Sequence, residues 1–164
     1  MGGWRRLRAS ARRSVRSADR RRGHERSTKR ELLVDTSVAV ALAVADHEHH
    51  DATFEALQGR RLGLAGHAAF EAFSVLTRLP PPARRTSATV ARLPAKSFPH
   101  SRFLSAGATA SLFERLDSLG IAGASVYDAL VGAAAAEHGL ALATRDRRAL
   151  DTYRALDVQV EFLS

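Results

Sequence analysis

The sequence predicts an α/β protein: a three-layer α/β/α sandwich with a mainly parallel central sheet, preceded by a disordered basic tail. Three observations carry this. Short apolar runs such as "ELLV" (31–34), "RLGLAG" (61–66), "LALAT" (140–144) and "VQVEFL" (158–163) have the length of buried strands. Stretches of helical length and spacing lie between them, and that alternation favours a parallel sheet covered on both faces. The first 30 residues have few apolar side chains and dense like charge, too little to bury for folding alone.

Taken in order, "ELLV" is the first strand and "TSVAVALAVA" (36–45) a helix with Thr36 or Ser37 near its start. "HHDATFEALQG" (49–59) places Phe54 and Leu57 at helical spacing, with Gly59 as a stop. "RLGLAG" is the second strand. In "HAAFEAFSVLTRL" (67–79), Phe70, Phe73 and Leu76 or Thr77 share one face, and Pro80 to Pro82 end the helix. "TSATVARLPAKSFP" (86–99) reads as a short helix broken by Pro94, and "RFLSA" (102–106) as a third strand. "GATASLFERLDSLG" (107–120) is an amphipathic helix with a glycine stop. "SVYDALVGAAAAEHG" (125–139) is Ala-rich and helical, with Ser125 as its expected cap. "LALAT", a helix over 145–156 and "VQVEFL" complete the chain.

The 164 residues suit one domain of ordinary size, residues 31–164, behind a tail at 1–30. With no cysteine, disulfides and thiolate chemistry are excluded, and a reducing compartment, the cytoplasm, is expected. No apolar run reaches the ~18 residues of a membrane span. The formal net charge of +8 is unevenly placed: residues 1–30 contribute +10, and the remaining 134 residues, with 13 basic and 15 acidic side chains, contribute −2. Three readings of the tail compete: an RNA-binding arm, a targeting segment, or sequence upstream of a true start near residue 30.

Four carboxylates fall where an open α/β sheet binds ligands, beyond the carboxyl ends of its strands. Asp35 follows the first strand directly and Asp146 lies two residues beyond Thr144. Glu71 and Asp128 each lie about one turn into the helices of 67–79 and 125–139. If they converge they repel: two unit charges ~4 Å apart cost about 4 kcal/mol at an effective dielectric of ~20. Such a group needs protons or a cation, and hard oxygen donors without cysteine favour Mg²⁺ or Mn²⁺. The plainer reading makes Asp35 and Asp146 helix caps and leaves Glu71 and Asp128 on solvated faces. The apolar flanks Phe70 and Phe73 around Glu71, and Tyr127 and Leu130 around Asp128, weigh against it.

"LLVDTSVAVAL", "FEAFSVLTRLP", "SVYDALVGAAAAEHG" and "LATRDRRAL", in this order and at this spacing from about residue 31 onwards, resemble a PIN domain. More narrowly, they resemble the VapC toxins of bacterial VapBC toxin–antitoxin pairs. The resemblance implies an endoribonuclease that hydrolyses RNA phosphodiesters with a water activated by Mg²⁺ or Mn²⁺, leaving 5′-phosphate and 3′-hydroxyl ends. It assigns metal binding and catalysis to Asp35, Glu71, Asp128 and Asp146. Thr36, Ser37 and Thr144 become supporting or phosphate contacts. A VapB-type antitoxin and a homodimer are the implied partners. Family members begin a few residues before the first strand, which favours a start near residue 30.

Other features weigh less. "DHEHHD" (46–51) pairs His47 with His50 at i, i+3, but a solvated loop explains it better than zinc. His67, one turn before Glu71, is best read as satisfied at its helix start. Arg145 and Arg147 beside Asp146 are candidate phosphate contacts, with Arg148 next to them. Phe70 and Phe73 read as core or dimer contacts rather than base-stacking platforms. A receiver-type phosphoacceptor needs paired acids after strand one and a late lysine, and the only lysines are Lys29 and Lys96. A dehalogenase-type phosphatase needs Asp-x-Asp where this chain has "DTS", and an α/β-hydrolase needs a Gly-x-Ser-x-Gly elbow. A catalytically silent PIN scaffold is the remaining alternative, against which the complete acidic set argues.

Overall fold

The sheet is built from four short strands, all parallel, in the order β2-β1-β3-β4. They are β1 (Glu31–Val34), β2 (Arg61–Leu64), β3 (Leu142–Thr144) and β4 (Val160–Phe162). The structure, a computed structural model, describes residues 31–164; the expectations for the tail lie outside the described residues. Between the strands run α1 (Thr36–Ala43), α2 (His50–Leu57), α3 (Ala68–Arg78), α4 (Ser87–Val90), α5 (Leu93–Lys96), α6 (Ala106–Arg115), α7 (Ser125–Glu137) and α8 (Leu150–Ala155).

Side-chain alternation along β1 divides the core into two layers. Leu32 and Val34 face Val38 and Ala39 of α1, Leu57 of α2 and Ala72 of α3. Leu33 faces the other way, against Ala68 of α3, Val131 and Ala135 of α7 and Tyr153 of α8. All three β1 side chains are fully buried, as expected for a central parallel strand with helices on both faces. Gly132 lets α7 approach α8 closely, since a Cβ there would lie 3.0 Å from the Tyr153 ring.

The sequence reading differs from the structure at five places, each for a local reason. "RFLSA" is not a strand: Arg102 makes one isolated parallel bridge to Ala65, and α6 begins at Ala106 because Ser105 caps it through the Ala108 N–H. The segment 99–102 instead covers the open edge of β2, with the His100 and Arg102 N–H groups donating to the Leu62 and Leu64 carbonyls. The region 86–99 holds two single-turn helices, with Pro94 in the first turn of α5. Ser125 is the first residue of α7 and not its cap. The stretch after β3 opens as a 3-10 turn over Arg147–Ala149, which Asp146 caps. In α3 the buried face is Ala68, Ala72 and Leu76, and Phe70 is 66% exposed. Alanines at that spacing let the helix lie close to the sheet, and the bulkier aromatics are turned outward.

Candidate active site

β1 and β3 are neighbours in the sheet, yet the chain leaves β1 for β2 on its other side. This is the switch point at which a crevice opens beyond the strand ends. A cleft of about 430 Å³ lies there, and its wall includes Asp35, Glu71, Asp128 and Asp146. The helix starts of α3 and α7 bring in Glu71 and Asp128, both in first turns. The ends of β1 and β3 bring in the other two.

Asp35 is 4% exposed and its side chain takes three donors. Ser37 Oγ (2.6 Å) and the Val38 N–H (3.1 Å) donate to Oδ1, and Thr144 Oγ1 (2.5 Å) donates to Oδ2. Asp35 is therefore also the N-cap of α1, so the capping reading and the site reading describe one residue. Burial pushes its carboxyl above the usual carboxylate range; the hydroxyls and the Val38 N–H oppose that, and the charge of Asp146 adds to it. The two hydroxyls also relay inward: Ser37 Oγ accepts the Arg145 N–H at 2.9 Å, and Thr144 Oγ1 accepts the Asp146 N–H at 3.0 Å. The loop after β3 is thus fastened to Asp35 through Ser37 and Thr144. Thr36 Oγ1 donates to Glu71 Oε2 at 2.5 Å, joining α1 to α3.

Asp128 is pushed up to about 6, first by burial and then by the charges of Asp146, Glu71 and Asp35. It is the carboxylate that feels the repulsion most directly. Asp146 is held below the usual range because Arg148 takes both its oxygens: Nε and the backbone N–H reach Oδ1 at 3.0 and 2.9 Å, and a terminal nitrogen reaches Oδ2 at 2.8 Å. Arg145 lines the cleft with its buried Nε lacking any hydrogen-bond partner, while a terminal nitrogen lies 3.4 Å from Thr53 Oγ1. Arg147 is absent from the cleft wall. Its guanidinium lies 4.9 Å over the Phe162 ring, and Arg148 stands at the cleft instead. That corrects the placement expected for Arg147: successive side chains of the 3-10 turn point about 120° apart, so Arg147 and Arg148 diverge.

Sequence reasoning missed two features of the wall. Tyr153, 1% exposed, forms its inner side, and burial plus the surrounding carboxylates raise its hydroxyl beyond any physiological titration. The sequence reading placed it only within a helix over 145–156 and did not single it out. His47, Glu48 and His49 also line the cleft, where a solvated loop was expected. His50 does not join them; its Nδ1 lies 2.8 Å from the Ala41 carbonyl. His67 stacks on Tyr127 at 5.2 Å, outside the wall.

Among the described residues, no three His, Asp or Glu side chains are drawn close enough to cage an ion. Asp35 and Asp146 each accept three hydrogen bonds and keep acceptor capacity on Oδ2. The donor chemistry nonetheless fits Mg²⁺, which prefers oxygen, takes one or two carboxylates and keeps several waters.

The profile of the family described as "PIN domain" matches residues 32–155. The chain belongs to the PIN domain family. It is 46% identical over 129 residues to Ribonuclease VapC27 of Mycobacterium tuberculosis, an alignment covering 79% of this chain and 94% of that protein. It is 42% identical over 135 residues to Ribonuclease VapC40 of the same species, covering 81% and 99%. Among solved structures, VapBC2 from Rickettsia felis, bound to a DNA fragment from its promoter, superposes with a TM-score of 0.60 at 15% identity. That match covers 82% of this chain and 99% of the other, and shows the shared PIN fold.

Proposed function

We propose that this PIN domain is a metal-dependent endoribonuclease, the toxin of a toxin–antitoxin pair. One observation carries the reading. In a chain 46% identical to a ribonuclease along nearly that protein's whole length, four acids from four separate elements line one cleft. The capping of α1 alone would account for the donors on Asp35, but it gives no reason for Glu71, Asp128 and Asp146 to share its cleft.

Asp35, Glu71, Asp128 and Asp146 are the proposed holders of Mg²⁺ or Mn²⁺. When bound, the ion supplies a Lewis acid that offsets phosphate charge and makes water nucleophilic near neutral pH. Ser37 and Thr144 fix Asp35, Thr36 fixes Glu71, and Arg145 brings the positive charge of its guanidinium to the cleft wall for an RNA phosphate. Asp128, with its raised proton affinity, is the carboxylate that gains most from a nearby cation. Arg148 must release Asp146 for that carboxylate to take part.

The domain acts in the cytoplasm under the control of a VapB-type antitoxin. Among the described residues, no helix is long and apolar enough to cross a membrane. A second copy of the chain covers the exposed aromatic cluster formed by Phe70, Phe103 and Tyr127 around His67.

The deciding experiment incubates the full chain with total RNA, with and without Mg²⁺, and maps new 5′ ends. Cleavage that needs Mg²⁺ and disappears in Asp128→Asn is expected. RNA left intact by a folded protein in Mg²⁺ and Mn²⁺ rejects the enzyme reading in favour of a silent scaffold.

A further inference from the structure

His47 is fastened into the wall of the acidic cleft by its own backbone neighbours. Its N–H donates to the Val44 carbonyl at 3.0 Å and its carbonyl accepts the His50 N–H at 2.8 Å, so both sides of its peptide are held. The His49 N–H donates to its Nδ1 at 3.2 Å. A ring nitrogen that accepts carries no proton, so in the neutral ring the proton sits on Nε2. The His49 ring lies 5.7 Å away, centroid to centroid.

The other charged groups of the cleft explain what such a donor is for. The wall carries Asp35, Glu48, Glu71, Asp128 and Asp146 against two guanidiniums, Arg145 and Arg148. Arg148 is paired with Asp146, and Arg145 reaches back toward Thr53. An RNA phosphate entering this cleft meets more negative than positive charge and needs hydrogen-bond donors. His47 is biased to the neutral form by burial first and by His49, Arg145 and His50, with Glu48 opposing. As a neutral donor it forms no ion pair with the carboxylates and stays available.

We infer that His47 is a substrate-contacting residue whose Nε2–H donates a hydrogen bond to a phosphate oxygen of the RNA beside the scissile bond. The inference rests on the ribonuclease reading of the same cleft. It differs from metal ligation, which would need Nε2 without its proton.

Amide variants separate the two ring nitrogens. Glutamine places its NH₂ near the position of Nε2, and asparagine places its own near Nδ1. In single-turnover cleavage of total RNA by the full chain with Mg²⁺, His47→Ala should lower the rate about 10-fold, the loss of one such bond. His47→Gln should recover most of it and His47→Asn should not, with unchanged melting temperatures for all three. A rate within twofold of the parent in His47→Ala, or equal rescue by both amides, overturns the assignment.

A second readout does not depend on cleavage. In ¹⁵N-histidine spectra, His47 should show the Nε2–H form, and its ¹H–¹⁵Nε2 signal should move when an RNA oligonucleotide is added in Ca²⁺. A signal indifferent to RNA, or one lost on adding Mg²⁺ alone, overturns the inference. If the parent protein leaves RNA intact in Mg²⁺, the ribonuclease reading fails by its own test, and this titration still decides whether His47 meets RNA.

Discussion

Asp35 and Asp128 face the same cleft, and burial raises the carboxyl of each. In Asp35 three donors oppose that rise, whereas in Asp128 three neighbouring carboxylates add to it and carry it to about 6. Its unfolded value is 3.8, so between there and about 6 the native state binds the extra proton. The raised value therefore favours the fold at low pH, and that contribution is lost as pH rises through about 6. Asp128→Asn, which cannot ionise, should melt a few degrees above the parent at pH 8 in EDTA and at the same temperature near pH 4. Melting curves across that range check it, and a constant offset would assign the effect to packing. Mg²⁺ should raise the melting temperature of the parent at pH 8, since a ligand of the native state stabilises it. The same addition should move Asp128→Asn much less, as seen by differential scanning fluorimetry. These acids were legible in the sequence because strand ends and helix starts are marked by local composition. Arg148's grip on Asp146 was not, because only the 3-10 turn decides which arginine faces inward.

At the level of elements, β2 shows how an edge is closed without another strand. Residues 99–102 cross it, and a Cβ on Gly63 would lie 2.1 Å from the His100 carbonyl oxygen. That contact is to backbone, which cannot swing aside as a flexible side chain could. Gly63→Ala should therefore cost several kcal/mol, in the range of severe core lesions, and urea denaturation should show the loss. The neighbouring Gly59, with nothing within 4 Å of its added Cβ but φ of +75°, should lose less on the same change. Comparable losses at the two sites would mean that the edge segment yields easily. The strands and long helices were readable from period and length, while the 99–102 crossing was not. A stretch containing Phe98, Phe103 and Leu104 around a proline has strand composition, and only Gly63 across the gap shows how it lies. In α3 the aromatics carried the hydrophobic signal, but the small residues Ala68 and Ala72 fit against the sheet. Side-chain volume at the helix–sheet distance decided the face, and one-dimensional hydrophobicity does not record volume.

For the whole molecule, that reversed face has a consequence. Phe70 is 66% exposed, Tyr127 54% and Phe103 50%, and they meet around His67: His67 stacks on Tyr127 at 5.2 Å and Phe70 meets Phe103 edge-on at 6.3 Å. Separate surface phenylalanines need no explanation, but a contiguous aromatic cluster on a monomer does. It sits at the starts of α3 and α7, next to the residues that carry Glu71 and Asp128 into the cleft. Aromatic residues are enriched at interfaces between protein chains. Phe70→Glu should turn a dimer into a monomer in light scattering behind size exclusion, with the melting temperature little changed, because Phe70 packs on exposed rings and not on the sheet. Phe54, 56% exposed on α2 and stacked only on His50, is the control: Phe54→Glu should leave the dimer intact. A monomeric parent, or a Phe70→Glu protein that remains dimeric, would remove the aromatic cluster from the interface. The starts of α3 and α7 would then be free to meet another partner.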